Sequence, residues 1–285
     1  MVQVREFTDP ACPFAFSAEP ALLRLRWLYG DSLDWQTHMI VLSESTDDYA
    51  ARGFGTKQLA AGLRKLQERY GMPIDWSERP RMHATADACR AVVAARLQSP
   101  AAAQELLRAL RVRTMAGALL DERSTIEAAA EDVGIDSGDL LRRMREPEVE
   151  QALRADMTAS RSPSPASLAL GHKLASSGDG KRYTCPSLEI EGPEGRFDAP
   201  GFQPVEVYEA AVANVAPATA RRAAPESVEE VLDWAGHPLA TVEVAAVMEL
   251  EPDEARAELA RVALLDPVGP DGYWSLRRMP ASLAA

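Results

Sequence analysis

In the stretch Asp9-Pro10-Ala11-Cys12-Pro13-Phe14-Ala15-Phe16, a cysteine lies between a predicted strand and a predicted helix. Before this stretch, Val2 and Val4 alternate with polar residues, which is the pattern of a half-buried strand. After it, apolar residues recur at helical spacing from Ala21 to Leu28, and Gly30 marks the end of that helix. The stretch is therefore predicted to be a strand-to-helix turn that carries a cysteine.

A strand-to-helix turn favours a reactive thiol. The first N–H groups of a helix lack partners within the helix, and their partial positive charge stabilises a nearby anion. Because the thiolate is the nucleophilic form of cysteine, Cys12 is the candidate nucleophile. Phe14 and Phe16 flank it, and on an exposed turn both would offer an apolar surface to a substrate. A dithiol enzyme would have its second cysteine where this chain has Ala15, so the chemistry is not that of an ordinary Cys-x-x-Cys protein.

The chain has 285 residues, 46% of them hydrophobic, and a formal net charge of −12. This length suffices for one large domain or two modest ones. The negative charge argues against nucleic acid and anionic membranes as partners, because binding to phosphate groups depends on clustered Lys and Arg. No apolar run approaches the roughly 20 residues of a membrane span, and the N-terminus lacks the pattern of a secretory signal. We expect a cytoplasmic protein.

Three cysteines, Cys12, Cys89 and Cys185, are too few for a disulfide framework in a chain of this length. Cys89 lies in an alanine-rich predicted helix, where we expect an inert buried thiol. The cysteines and histidines lack the short spacings of metal ligands, so the sequence predicts no structural zinc. It also contains no glycine-rich phosphate loop. We therefore expect no tightly bound cofactor.

The pattern of helices and strands divides the chain into three parts. Residues 1–53 and 181–216 alternate between strand and helix patterns, and we call them the core. Residues 54–180, the insertion, are rich in Ala, Leu, Arg and Glu and predicted to be helical, apart from a loop with one helical turn over 160–180. Residues 217–285 form the C-terminal module, and they begin with a linker, read from Ala216 to Pro225, that contains several Ala and Pro residues. The predicted fold class is α/β.

The C-terminal module has the order of a winged helix, with three short helices followed by a hairpin. Residues 226–285 contain twelve acidic residues and four basic ones. A DNA-reading helix in so acidic a module would be repelled by phosphate. We therefore interpret the module as a packing or dimerisation unit, which makes a second copy of the chain a candidate partner.

A second informative segment is Tyr183-Thr184-Cys185-Pro186-Ser187, which comes directly before a predicted hairpin. Together with Asp9-Pro10-x-Cys12-Pro13-Phe14 and the pair Glu19-Pro20, it resembles the DsbA-like family of thioredoxin-fold proteins. The resemblance covers about residues 1–216 and is closest to the cytoplasmic branch of FrnE-type and mycothiol-linked reductases. It implies a thioredoxin-like core with an inserted helical domain, and the C-terminal module lies outside it.

The resemblance also implies roles for residues at the site. Cys12 would be the nucleophile, and Pro186 would follow a cis peptide bond and face the thiol. Cys185, which precedes that proline, would lie near Cys12 and is the candidate to replace the missing resolving thiol. The implied substrate surface comprises Pro13, Phe14, Thr184 and Pro186. The implied substrates are a small disulfide or a protein thiol, with mycothiol or glutathione as the co-substrate.

Four functions stay open for Cys12 from the sequence. It could act as a monothiol enzyme whose mixed disulfide is resolved by a small thiol. It could form a reversible disulfide with Cys185, which requires Cα atoms within about 7 Å. The fold could instead serve as a non-catalytic scaffold for binding. Finally, related folds include isomerases and transferases that bind a thiol cofactor beside the same helix, with residues 83–98 then lining the substrate pocket.

Overall fold

The computed structural model describes residues 1–277, so residues 278–285 of the predicted module lie outside the described part. The first elements are, in order, β1 (Val2–Thr8), α1 (Pro13–Ser17), α2 (Glu19–Tyr29), β2 (Leu33–Met39), α3 (Asp47–Ala51), α4 (Thr56–Tyr70), α5 (Ala86–Arg96), α6 (Pro100–Met115), α7 (Arg123–Asp132), α8 (Ser137–Arg143), α9 (Pro147–Ser160) and α10 (Pro165–Ala169). The remaining elements are β3 (Ala175–Ser177), β4 (Gly180–Arg182), β5 (Ser187–Gly192), β6 (Gly195–Ala199), α11 (Val205–Val215), α12 (Val228–Ala235), β7 (Leu239–Ala240), α13 (Thr241–Met248), α14 (Pro252–Val262), β8 (Ala263–Val268) and β9 (Asp271–Leu276).

Four strands form the central sheet in the order β2-β1-β5-β6. β1 and β2 are parallel, with Val2 opposite Leu33 and Thr8 opposite Met39. β5 runs antiparallel to both β1 and β6. A parallel pair needs a crossover connection, and α1 and α2 provide it between β1 and β2. The mixed sheet with its helices confirms the predicted α/β class.

One face of the sheet carries the main apolar cluster. The predicted alternation of β1 places Val2 and Val4 in this cluster, where they meet Leu22 and Leu25 of α2 and Val212 of α11, all fully buried. Full burial of an aliphatic side chain of this size stabilises the fold by roughly 1.5–3 kcal/mol. The apolar spacing read from the sequence thus attaches α2 and α11 to the sheet.

Helices α5 to α9 of the insertion pack around a second apolar cluster, which includes Leu106, Leu110, Ile126 and Leu153. The segment over 160–180 contains the predicted helical turn, α10, but the predicted loop around it also includes the antiparallel pair β3–β4, whose second strand runs to Arg182. Strands of three residues are too short to show an alternating pattern, and this pair therefore left no sequence signal. Within residues 1–277, no helix combines the length and the apolarity needed to cross a membrane.

A buried arginine joins the insertion to the core. Arg111 of α6 is 3% exposed, and its guanidinium forms ion pairs with Glu6 of β1, at 3.1 Å, and with Glu19 of α2. It also donates to the hydroxyl of Thr8. Both carboxylates are buried, so each charge depends on the others for compensation. This cluster fixes the position of α6 beside α2 and beside β1, the strand that leads to Cys12.

The C-terminal module consists of α12 to α14 and a three-stranded sheet in the order β7-β9-β8. Its apolar residues continue the main cluster of the core, with Val231, Val244 and Trp274 buried against it. The module therefore shares a hydrophobic core with the central sheet and does not form a separate apolar centre.

Three polar groups anchor the module. Arg24 of α2 bridges Glu209 and Glu249, both at 2.6 Å, and so joins α2 to α11 and the end of α13. Arg108 of α6 binds both carboxylate oxygens of the buried Glu243, at 2.6 and 2.8 Å. Trp27 donates its indole N–H to the backbone oxygen of residue 223 in the predicted linker, at 3.0 Å. The linker therefore contacts α2 directly.

Candidate active site

Cys12 occupies the N-cap position of α1 and is 5% exposed. Its sulfur lies 3.5 Å from the backbone oxygen of Cys185. A hydrogen bond from the Cys185 thiol, aided by the backbone N–H groups of Ala15 and Phe14, holds the pKa of the Cys12 thiol below its ordinary value despite burial. The structure thus places at this turn a thiol whose ionised form is stabilised.

Cys185 has the opposite electrostatics. It is buried beside Cys12, and the peptide bond between Cys185 and Pro186 is cis. Burial, the hydrogen bond to Cys12 and the charge of the Cys12 thiolate raise the pKa of the Cys185 thiol well above its ordinary value. The two thiols are free in this structure. Ionisation is therefore favoured at Cys12 and opposed at Cys185.

Asp9 is a buried carboxylate beside these thiols. One oxygen accepts from the backbone N–H of Ala11 at 2.8 Å. The other accepts from the backbone N–H of Leu42 and the hydroxyl of Thr85, both at 2.8 Å, and from the thiol of Cys89 at 3.5 Å. Hydrogen bonds of this number stabilise a buried charge that would otherwise be costly. The network ties the turn before Cys12 to the end of β2 and to α5.

The charge of Asp9 acts against ionisation of the thiols around it. It raises the pKa of Cys12, Cys185 and Cys89, in each case as one of several causes. Cys89 is fully buried, and burial is the first cause of its raised pKa. Sequence reasoning quoted Asp9 within the motif but gave it no role. The sequence signal for such a role is a carboxylate directly after an apolar strand. When that strand is buried, the charge of the carboxylate has to be compensated.

The residues predicted to form the substrate surface occupy different environments. Phe14 is 47% exposed beside Cys12, and Pro13 is partly exposed. Thr184 donates its hydroxyl to the backbone oxygen of residue 173, at 2.8 Å, and Pro186 is buried. Phe16 is fully buried and so does not share an exposed apolar surface with Phe14. Phe14 is thus the exposed aromatic side chain next to the thiol.

Histidine does not complete the site. His38 lies 3.0 Å from the Asp156 carboxylate, and His83 accepts from the backbone N–H of residue 120 at 3.3 Å. Burial lowers the pKa of His83. Within residues 1–277, neither thiol is hydrogen-bonded to a histidine, and no group of three His, Cys, Asp or Glu side chains is arranged to hold a metal ion.

Comparison with known proteins assigns the region that contains Cys12 to a domain family. A sequence profile of the DSBA-like thioredoxin domain matches residues 3–163. A curated relative, the ClpXP adapter protein SpxH of Halalkalibacterium halodurans, is 26% identical over 272 residues, which cover 92% of this chain and 83% of the relative.

Solved structures share the fold. A probable DsbA oxidoreductase from Streptomyces coelicolor superposes with a TM-score of 0.56 at 18% identity, covering 76% of this chain and 91% of that chain. The cytosolic disulfide reductase DsbM from Pseudomonas aeruginosa, solved with GSH, gives a TM-score of 0.50 at 16% identity, covering 72% and 91%. At these identities the likeness establishes the fold.

Proposed function

Because this chain belongs to the DSBA-like thioredoxin domain family, we propose that it is a thiol–disulfide oxidoreductase in which Cys12 is the nucleophile. The observation that carries this proposal is the position of Cys12 at the N-cap of α1, where its sulfur lies 3.5 Å from the backbone oxygen of the buried Cys185 and the Cys185 side chain helps to lower its pKa. A lowered thiol pKa at an N-cap is the electrostatic condition for nucleophilic attack near neutral pH.

The first step is attack of the Cys12 thiolate on one sulfur of a substrate disulfide. A bond forms between the Cys12 sulfur and that atom, the substrate S–S bond breaks, and its second sulfur leaves as a thiolate with the electron pair. The product is a mixed disulfide on Cys12. Phe14, exposed beside Cys12, offers apolar contact to the substrate at this stage.

Cys185 is suited to resolve the mixed disulfide. While Cys12 is a thiolate, its charge helps to raise the pKa of Cys185, so the second thiol stays protonated and inert. Once Cys12 is in a mixed disulfide, that charge is gone and Cys185 ionises more readily. Its thiolate then attacks the Cys12 sulfur, and the released substrate thiolate takes up the proton. The protein has lost two electrons, and the substrate has gained them.

A small thiol returns the protein to its reduced state. Two molecules of a low-molecular-weight thiol, such as mycothiol or glutathione, would supply the two electrons and leave as their disulfide. The same thiol could resolve the mixed disulfide directly, in which case Cys12 acts as a monothiol nucleophile. We propose that this cycle runs in the cytoplasm, where such thiols are kept reduced.

Mild oxidation should link Cys12 to Cys185. We expect non-reducing peptide mapping after treatment with oxidised glutathione to recover a peptide pair joined through these two residues. The link should be absent from the Cys12→Ser variant. Cys89 provides an internal control, because burial and the charge of Asp9 raise its pKa and it should stay reduced in the folded protein. A linked peptide that contains Cys89, or persistent glutathionylation of Cys12 without any Cys12–Cys185 link, would rule out Cys185 as the resolving thiol.

A second candidate function is that of an adapter. The relative named as a ClpXP adapter aligns with 92% of this chain, an extent that includes most of the C-terminal module. An adapter would use the surface of the fold for binding and would not need a nucleophile. The two candidates therefore differ in what they require of Cys12: the enzyme needs the pKa of this thiol below its ordinary value, and the adapter does not.

A further inference from the structure

β6 is an edge strand of the central sheet, and its outer side is open. Two residues join β5 to β6, so Gly192 and Gly195 form the hydrogen-bonded pair that closes this hairpin. Along an antiparallel pair, the backbone groups face the neighbouring strand at every second residue. The N–H and C=O groups of Phe197 therefore point to β5, and those of Arg196 and Asp198 point away from the sheet. Within residues 1–277, no hydrogen bond satisfies these outward groups.

The opposite edge of the same sheet is closed. On β2, the backbone N–H of Met39 donates to the Asp156 carboxylate at 3.0 Å, and Arg96 donates to the backbone oxygen of Thr37. No side chain in the described part of the chain caps β6 in this way, and the first three residues of β6 are exposed. Because unpaired backbone groups are a template for another strand, proteins usually protect such an edge. The edge of β6 is therefore available to a strand of another molecule.

The side chains of β6 are complementary to a second copy of the same strand. Arg196 and Asp198 lie on one face of the sheet, where Arg196 Nε donates to the Asp198 carboxylate at 2.7 Å. Phe197 lies on the other face and is 36% exposed. When two copies of β6 pair antiparallel about a two-fold axis at Phe197, Arg196 of each copy faces Asp198 of the other. Each arginine then has one carboxylate beside it and another across from it.

The charges and the backbone select the same register. With the axis at Phe197, the outward N–H and C=O groups of Arg196 and Asp198 meet those of Asp198 and Arg196 in the other copy, so each facing pair exchanges both of its hydrogen bonds. An axis at Arg196 or at Asp198 would instead place like charges directly opposite each other, which destabilises a strand pair. The two Phe197 rings face each other at the axis, in a non-hydrogen-bonded pair where facing side chains are closest.

We propose that two copies of this chain associate through antiparallel pairing of their β6 strands, which joins the two central sheets into one continuous sheet. The contact is isologous, because the same patch serves both copies. β6 has only five residues, so the interface is of the small, weak class and the dimer dissociates on dilution. This interface lies on the core, and the C-terminal module takes no part in it.

Sedimentation velocity of the full chain over a concentration series tests the proposal. We expect a reversible equilibrium between monomer and dimer. Phe197→Lys places two cations opposite each other at the axis and should raise the Kd at least about tenfold. The matched control is Leu264→Lys on β8, the edge strand of the C-terminal module, where Leu264 is 59% exposed. It should leave the Kd unchanged, and circular dichroism checks that both variants are folded.

A cysteine at the axis tests the register independently. In Phe197→Cys, the two thiols belong to directly facing residues of a non-hydrogen-bonded pair, whose Cα atoms lie about 4.5 Å apart and within disulfide range. We expect mild oxidation and peptide mapping to show two copies joined through residue 197, whereas Leu264→Cys should form no such link. A wild type that stays monomeric throughout the series, a Kd that responds to Leu264→Lys but not to Phe197→Lys, or no link in Phe197→Cys would overturn the proposal.

Discussion

Replacement of Arg111 by methionine should reduce the free energy of unfolding by about 3–5 kcal/mol, the usual effect of removing one partner from a buried ion pair. Methionine fills much of the arginine stem but leaves Glu6 and Glu19 buried without their cation. Since α6 is attached to β1 and α2 through these contacts, the substitution weakens the junction of insertion and core. Denaturant unfolding at neutral pH measures the change in the free energy of unfolding.

The matched control is Arg113→Met on the same helix. Arg113 pairs with Asp132 at 2.6 Å, but both side chains are substantially exposed, and exposed pairs contribute about 0–1 kcal/mol. Equal losses of stability in the two variants would contradict the importance assigned to burial.

The effect of Arg111→Met should depend on pH in a defined direction. Burial opposes ionisation of Glu19, but the charges of Arg111, Arg26 and Arg108 outweigh it and hold the pKa of Glu19 below its ordinary value of 4.5. A lowered carboxyl pKa in the folded state contributes stability above pH 4.5, and that contribution is lost as the pH falls through the folded value. The deficit of the variant should therefore shrink below pH 4.5, where protonation removes the buried charge.

Trp27→Ala should also lower the free energy of unfolding by about 3–5 kcal/mol, the usual effect of truncating a buried aromatic residue. Trp27 is 2% exposed, meets the ring of Trp234 at 5.0 Å and lies 3.5 Å below the guanidinium of Arg222. It connects α2 to both the linker and the first helix of the C-terminal module. Without this connection the linker should be held less firmly, so residues 217–225 of Trp27→Ala should be cleaved by proteases faster than those of the wild type.

Trp27→Phe separates the contributions of this side chain. It keeps an aromatic ring but loses the indole hydrogen bond to the backbone of residue 223, so the stability loss should be about 1 kcal/mol. Linker proteolysis in Trp27→Ala at the wild-type rate would show that the module stays docked without this residue.

Local patterns predicted the elements with regular spacing. Val2 and Val4 indicated β1, and the apolar spacing from Ala21 to Leu28 indicated α2. The sequence left open whether Phe14 and Phe16 are both exposed, and the helix separates them because residues two apart lie on nearly opposite sides. Phe14 therefore points to solvent while Phe16 is buried against α4.

The remaining features depend on contacts that are distant along the chain. The hydrogen-bond partners of Asp9 include Leu42, Thr85 and Cys89, and the partners of Arg111 lie near the N-terminus. A single sequence shows that such charged residues exist but not which of them meet. The linker over 217–225 was read from its composition, which cannot show that Trp27 and Arg222 hold it against α2.

The pH dependence of Cys12 alkylation by iodoacetamide tests the central claim most directly. Measured by peptide mass spectrometry in the wild type and in Cys185→Ala, it reports the ionisation of Cys12 with and without the principal cause of its lowered pKa. We expect a wild-type midpoint below the ordinary thiol value of 9.0 and a higher midpoint in Cys185→Ala. A wild-type midpoint at or above 9.0, unchanged by Cys185→Ala, would contradict the account and favour an adapter that does not use this thiol.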